Sequence, residues 1–311
     1  MDFRRLRYFV AVAEELSFSR AAKRLNVSQP PLSMQIKAIE HELGTSLFAR
    51  TRRTVALTHA GEVLLQQARV ALSQLDHAEE MTRRAGRGEA GRLSLGFTSS
   101  VPLLDLFPRI LRKFRQLYPS AVVEARLMST GQQLKALAER QLDVGILQPP
   151  HGFRPAPGLT ARRLWRDQLH VFLPDDHPLL RQGEPIAPAA LAEESFITFA
   201  SDLGCGLSAH TTMVCSQAGF HPQVTQEVDV ASSILSLVAA GIGVTILPEC
   251  QSRAGVAGVG NRALAAAGTE SDLLLAHRTR DRSPLLCNFL ALVDEIAPEL
   301  PEMPVQLRAL R

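Results

Sequence analysis

Apolar positions near the N-terminus recur at helical spacing. Ala21, Ala22 and Leu25 give a short helix its buried side, and Asn26-Val27 makes a break. Leu32, Ile36, Ile39 and Leu43 then step by 4, 3 and 4, which marks one buried face of a second helix. Ser28 stands at that helix's cap position, where a hydroxyl can accept a backbone N–H of the first turn. Pro30 and Pro31 fall within that turn, where a missing N–H costs little. The opposite face of the helix start carries Gln29, Pro30, Ser33, Met34 and Lys37. A short polar helix start braced by a preceding helix has the shape that the major groove of DNA admits. Arg50, Arg52 and Arg53 come next, followed by the alternating run Thr54-Val55-Ala56-Leu57. A basic hairpin of this kind can lay arginines along phosphates or into a minor groove.

The periodicity then lengthens. Leu64, Ala68, Ala71, Leu75 and Ala78 step by 4, 3, 4 and 3, a coiled-coil seam on a long helix capped by Thr58. From His59 to Ala85 such a helix would span roughly 40 Å at ~1.5 Å per residue. A second copy of the chain is the expected occupant of the seam. The alternative is packing against the chain's own body. Gly86-Arg87-Gly88-Glu89-Ala90-Gly91 reads as a hinge, because three glycines in six residues sit poorly inside a helix.

Beyond the hinge, strands alternate with helices. Leu93–Phe97, Val122–Leu127 and Val144–Leu147 read as strands. Helices are expected around Phe107–Leu117 and over Gln132–Glu139. This βαβαβ order implies a parallel sheet with helices on its faces. After the Pro- and Gly-rich stretch 148–158 a second unit of the same type follows. Its strands are Leu169–Leu173, Phe196–Phe199 and Gly243–Leu247, and its helices Leu207–Ala218 and Ser232–Ala240. Leu273–Ala276 and the helix Pro284–Ile296 are expected to return to the first unit.

Length and charge sharpen this division. A chain of 311 residues is long for one core. Its net charge of +3 hides an asymmetry: residues 1–92 hold 15 basic and 10 acidic side chains, whereas the remainder holds 19 and 21. Positive charge therefore gathers where the DNA-reading pattern lies. The N-terminus Met1-Asp2-Phe3-Arg4-Arg5 lacks the apolar core of an export signal, which points to a cytoplasmic protein. The longest apolar stretch, Ile234–Leu247, is broken by glycines and too short to span a bilayer. Cys205, Cys215, Cys250 and Cys287 form no C-x-x-C pair and read as reduced, mostly buried thiols. No G-x-S-x-G, H-E-x-x-H or phosphate-loop motif occurs, and the nine histidines show no metal spacing, so neither a catalytic residue nor a metal or other cofactor is expected.

The N-terminal run resembles the winged helix-turn-helix of LysR-type transcriptional regulators. The resemblance rests on Phe9, Ala13, Ser19-Arg20-Ala21-Ala22, Leu25, Ser28-Gln29-Pro30, Ser33, Gln35-Ile36, Leu43-Gly44, Leu47-Phe48, Arg50, Arg53, Leu57-Thr58 and Ala60-Gly61. It extends more thinly over the rest of the chain through His177-Pro178-Leu179, Val238–Val244 and Leu247-Pro248. It implies a winged helix-turn-helix over 1–58, a linker helix and hinge over 59–90, and an α/β effector domain over 91–311 resembling a periplasmic solute-binding protein. Subdomain I would take about 91–161 and 268–300, and subdomain II about 162–267. The family implies a dimer through the linker helix, a tetramer of dimers, promoter DNA with an interrupted dyad, and action on RNA polymerase. On DNA, Gln29 is expected to read adenine, with Ser33 next, Met34 meeting a thymine methyl, and Pro30 and Pro31 alongside. Lys37, Arg50, Arg52 and Arg53 would hold phosphates.

In parallel α/β sheets ligands bind beyond the carboxyl ends of the strands. Thr98-Ser99-Ser100 ends the first strand and opens a helix, Ser129-Thr130 opens the next, and Ser201-Asp202 follows Phe196–Phe199. Hydroxyls and free N–H groups at helix starts form an anion site. Thr98, Ser99, Ser100, Thr130, Ser201 and Asp202 are therefore the expected effector residues. Family members that answer benzoate, muconate or related aromatic-pathway acids use these positions, so a small carboxylate of that kind is the expected effector. Two alternatives remain open: a redox switch between Cys205 and Cys215, after the peroxide-sensing members, and a solute-binding protein with no DNA role.

Overall fold

The computed structural model describes residues 1–50, 54–182, 185–200, 204 and 206–297. It divides into two units, Met1–Arg84 and Ala85–Arg311.

The first unit opens with α1 (Phe3–Glu15), capped by the Asp2 carboxylate, which accepts from the backbone N–H of Arg5 at 2.8 Å. α2 (Phe18–Arg24) and α3 (Gln29–Leu43) follow, joined through Asn26 in the left-handed region (φ 55°). Phe9, Val12, Ala21, Leu32, Ile36 and Ile39 are fully shielded and form the core of the head. Leu43 departs from the expected face and is 43% exposed. The chain turns away at Gly44, and Leu47 and Phe48 close the core in its place.

Ser28 caps α3 in backbone conformation but makes no side-chain cap bond. A cap hydroxyl accepts from the second or third helical N–H. Those positions are Pro30 and Pro31, which have none. The two prolines thus cancel the cap expected of Ser28.

β1 (Phe48–Arg50) and β2 (Val55–Leu57) pair antiparallel as the wing. Thr58 then caps α4 (His59–Gly86). Its hydroxyl accepts from the Gly61 N–H at 3.0 Å and donates to the Ser46 carbonyl at 2.7 Å. The seam expected on α4 is partly taken by the head itself. Ala68 is fully buried in the head core, with Leu64, Leu65, Ala71 and Leu72 packed against it. The large apolar side chains that α4 leaves exposed are Val63 and Val70, one position earlier in the repeat.

The second unit is built on a mixed sheet in the order β10-β6-β11-β5-β3-β4. β3 (Ala90–Phe97) runs parallel to β4 (Ser120–Leu127) and β5 (Val144–Leu147). The long β6 (Leu159–Pro174) and β11 (Glu270–Arg278) are antiparallel partners, as are β6 and β10 (Val259–Ala263). The parallel sheet expected of the βαβαβ segment is present in β3, β4 and β5, and the antiparallel β6 and β11 are the crossovers that carry the chain out to the second lobe and back. α5 (Leu106–Leu117) and α9 (Pro284–Ile296) cover the first lobe, with Leu95, Phe114 and Phe289 in its core. α6 (Thr130–Ala138) packs at the cleft end of the same lobe. The second lobe holds β7 (Ser195–Phe199), α7 (Gly206–Gln217), β8 (Gln223–Val228), α8 (Ala231–Ala239) and β9 (Thr245–Pro248) around Phe172, Phe196 and Ile234. β3 does not run straight into α5: a 3₁₀ turn, Val101–Leu103, stands between them. Trp165 is 37% exposed on β6.

Candidate functional site

The head presents one face of the start of α3. Gln29, Pro30, Pro31, Met34 and Lys37 are exposed and Ser33 is half-buried. Met34 is the most open of the large apolar side chains, at 66%. The Gln29 Oε1 accepts from the Ser19 hydroxyl at 3.0 Å, which turns the Nε2 donors outward. Lys37 has no ion pair among the described residues. Arg50 is not placed to reach out as expected. Its guanidinium donates to Glu40 at 2.9 Å and lies 4.8 Å from the centroid of the Phe18 ring. Glu40 in turn accepts from the backbone N–H groups of Leu47 and Phe48. Arg50 is therefore a strut between α3 and the wing. Arg52 and Arg53 lie outside the described residues.

Between the lobes of the second unit lies a cavity of about 280 Å³. Thr98, Ser99 and Thr130 reach its wall together with Ser129, Gln132 and Gln148. Thr98 is 8% exposed, and its hydroxyl is buried with no hydrogen-bond partner. A buried hydroxyl left unpaired costs roughly 1–3 kcal/mol, which a ligand atom could recover. Thr130 is differently placed. Its hydroxyl donates to the Gln148 carbonyl and accepts from the Gln148 N–H, both at 3.0 Å, so it ties α6 to the end of β5. Ser129 and Gln132 form a reciprocal capping box at the start of α6.

Ser100 stands behind the wall rather than on it. It is fully buried, donates to the Gln148 Oε1 at 2.8 Å and accepts from the Gln251 Nε2 at 3.2 Å. Gln148 also donates to the Ser271 hydroxyl. The opposite wall is apolar: Phe199, Leu207 and Val230 from the second lobe, facing Leu127 and Met128 of the first. Asp229 is the charged lining side chain among the described residues. Ser201 and Asp202 lie outside them. Gln148 and Asp229 were not singled out in the sequence. Gln148 directly follows a legible strand, so the strand-end rule could have found it, whereas Asp229 follows a strand that has no alternating pattern.

These two sites, a braced polar helix start and a two-lobed cleft, meet their counterparts in known proteins. Residues 3–62 match the family model for the bacterial regulatory helix-turn-helix protein, lysR family, and residues 86–297 match that for the LysR substrate binding domain. The chain belongs to the LysR family of transcriptional regulators. It is 37% identical to the HTH-type transcriptional regulator AlsR of Bacillus subtilis over 93% of this chain and 94% of that one. It is 33% identical to a probable cat1 operon transcriptional activator of Acinetobacter lwoffii, over 97% and 98% of the two chains. The crystal structure of CbnR, a LysR family regulator, superposes with a TM-score of 0.77 at 27% identity, covering 94% of this chain and 100% of CbnR. A further structure, of full-length CbnR complexed with its target DNA, gives the same TM-score over 96% of this chain.

A LysR-family chain is a DNA-binding regulator with an effector-binding domain, not an enzyme. No helix among the described residues is long and apolar enough to cross a membrane. The thiols give little support to a redox member of the family. Cys215 is fully buried, and burial pushes its thiol up to about 11, away from the reactive thiolate. Burial also raises the Cys250 thiol, with the Asp167 carboxylate adding to the effect. Cys287 is exposed, and Cys205 lies outside the described residues.

Proposed function

We propose that this LysR-type regulator binds an interrupted promoter dyad as a dimer paired through α4, assembles further into a tetramer, and acts on RNA polymerase in answer to a small carboxylate with an aromatic or unsaturated body. The acid's charged end would face Thr98, Ser99 and the start of α6, where free N–H groups and the helix dipole favour an anion. Its body would lie against Phe199, Leu207 and Val230. Gln29 reads adenine in this scheme, Ser33 and Met34 lie beside it, and Lys37 with Arg52 and Arg53 holds phosphate.

The observation that carries the ligand reading is the unpartnered Thr98 hydroxyl on the cavity wall. Thr98→Val keeps the volume and removes that hydroxyl. With benzoate and muconate as probes in a promoter-reporter titration, the variant should need roughly tenfold or more acid, matching ~1–3 kcal/mol, while holding its promoter as before. An unchanged dose–response curve would take Thr98 out of the site. Failure of the wild-type chain to respond to either acid would sink the proposed effector class.

A further inference from the structure

A second cavity, of about 990 Å³, opens at the other end of α6 from the cleft. Arg140 follows α6, Arg154 lies in the stretch after β5, and Arg280 and Arg282 follow β11. Three separated chain segments thus deliver four guanidinium groups to one concavity. All four are exposed, and none makes a hydrogen bond or ion pair with another described residue. Arg278, by contrast, is built into the floor: it donates to the Leu137 carbonyl at 3.1 Å, to Asp143 at 3.2 Å and to Asp281 at 3.0 Å. Asp281 is the carboxylate of this lining: Arg278 and the Ser283 N–H hold it, and it also feels the Arg140 charge, which leaves Arg154, Arg280 and Arg282 without a facing carboxylate among the described residues. Apolar surface between the arginines comes from Leu134, Phe153, Pro157 and Leu159.

Gathering like charges in a concavity is unfavourable unless an anion answers them, and such a site focuses positive potential. General basicity does not explain the cluster, because residues 93–311 hold 19 basic against 21 acidic side chains. Arginine, with its planar fork of donors, suits carboxylate and phosphate groups held in pairs. The volume falls within the ~300–1,000 Å³ typical of small-molecule sites.

We propose that this groove is a second ligand site, which takes an organic anion bearing two or more negative groups on an apolar or planar body. The negative groups are phosphates or carboxylates, and both are held by the same guanidinium forks. The groove uses no residue of the cleft or of the DNA-reading face, so its test separates from theirs.

The experiment is calorimetric titration of the full chain with ATP and, separately, with trimesate (benzene-1,3,5-tricarboxylate). At least one probe should bind once per chain. An Arg280→Ala/Arg282→Ala double variant should bind it tenfold or more weakly while melting at the same temperature. Thr98→Val should leave the groove's binding step as in the wild type, whatever it does to trimesate taken up by the cleft. Preference for ATP would identify phosphate as the recognised group, and preference for trimesate would identify carboxylate. The proposal is overturned if neither probe binds more tightly than about 1 mM, or if the double variant binds unchanged. It is equally overturned if Thr98→Val or Lys37→Ala removes the binding, which would move the anion to the cleft or to the head.

Discussion

At Gln29 the amide is already oriented before any DNA arrives, because Ser19 donates to its oxygen. Bidentate reading of adenine needs a donated N–H and an accepting oxygen from one amide plane. The oxygen keeps a second lone pair for the base, and both Nε2 hydrogens remain free. Gln29→Ala should weaken promoter binding by about 1–3 kcal/mol and leave random-duplex binding nearly untouched. Ser19→Ala should lose less, in the same direction, and Ser19→Thr should restore it. Gel shifts on the chain's own promoter fragment and on a scrambled duplex measure both, and equal losses on the two duplexes would remove Gln29 from base reading. The residue types of the head were legible because the motif is local. What each polar atom binds was not. Ser100 is sequestered by Gln148 and Gln251, 48 and 151 residues away. Arg50 is sequestered by Glu40 across the turn. Neither partner is visible in spacing alone.

Elements with a clear period were legible nearly to the residue, as α9 and β5 show. β8 was not: its Gln-Val-Thr-Gln-Glu-Val run is exposed almost throughout and so carries no alternation. β10 is half-buried along its length, which hides it in the same way. The seam on α4 shows a different limit. Periodicity gave an apolar stripe without saying which body it meets, and the head core claims Leu64, Ala68 and Ala71. In the proposed dimer that leaves Val63 and Val70, seven residues apart on the exposed side, as the face for a partner helix. Val70→Asp should therefore raise the dimer dissociation constant roughly tenfold or more, since a charge at such a seam costs at least ~1–3 kcal/mol. The melting of the head should not change. Sedimentation over a concentration series reads the first effect and a thermal melt the second. A dimer as tight as the wild type's would exclude this stripe as the pairing face.

In the effector unit as a whole, the lobes meet backbone to backbone at the start of α7. A Cβ on Gly206 would lie 2.4 Å from the Gln148 carbonyl and 2.5 Å from Pro149. Gly206→Ala should therefore wedge the lobes apart, at about 1–3 kcal/mol, and weaken the response to a cleft-bound acid without altering promoter affinity. A reporter titration with benzoate alongside a gel shift tests this, and a normal response would mean that the 148–150 backbone yields. The paired prolines at the start of α3 have a consequence at the largest scale, that of the chromosome. Helix starts usually offer bare N–H groups to any phosphate, whatever the sequence beside it. Here two of those donors are missing, so in the proposed binding mode α3 should have little grip on DNA that lacks the right bases. Sequence-blind attraction is what holds a protein on random DNA while it slides and hops. In the proposed binding mode that attraction is left to Lys37 and the wing, so each wrong stop along the chromosome should be brief.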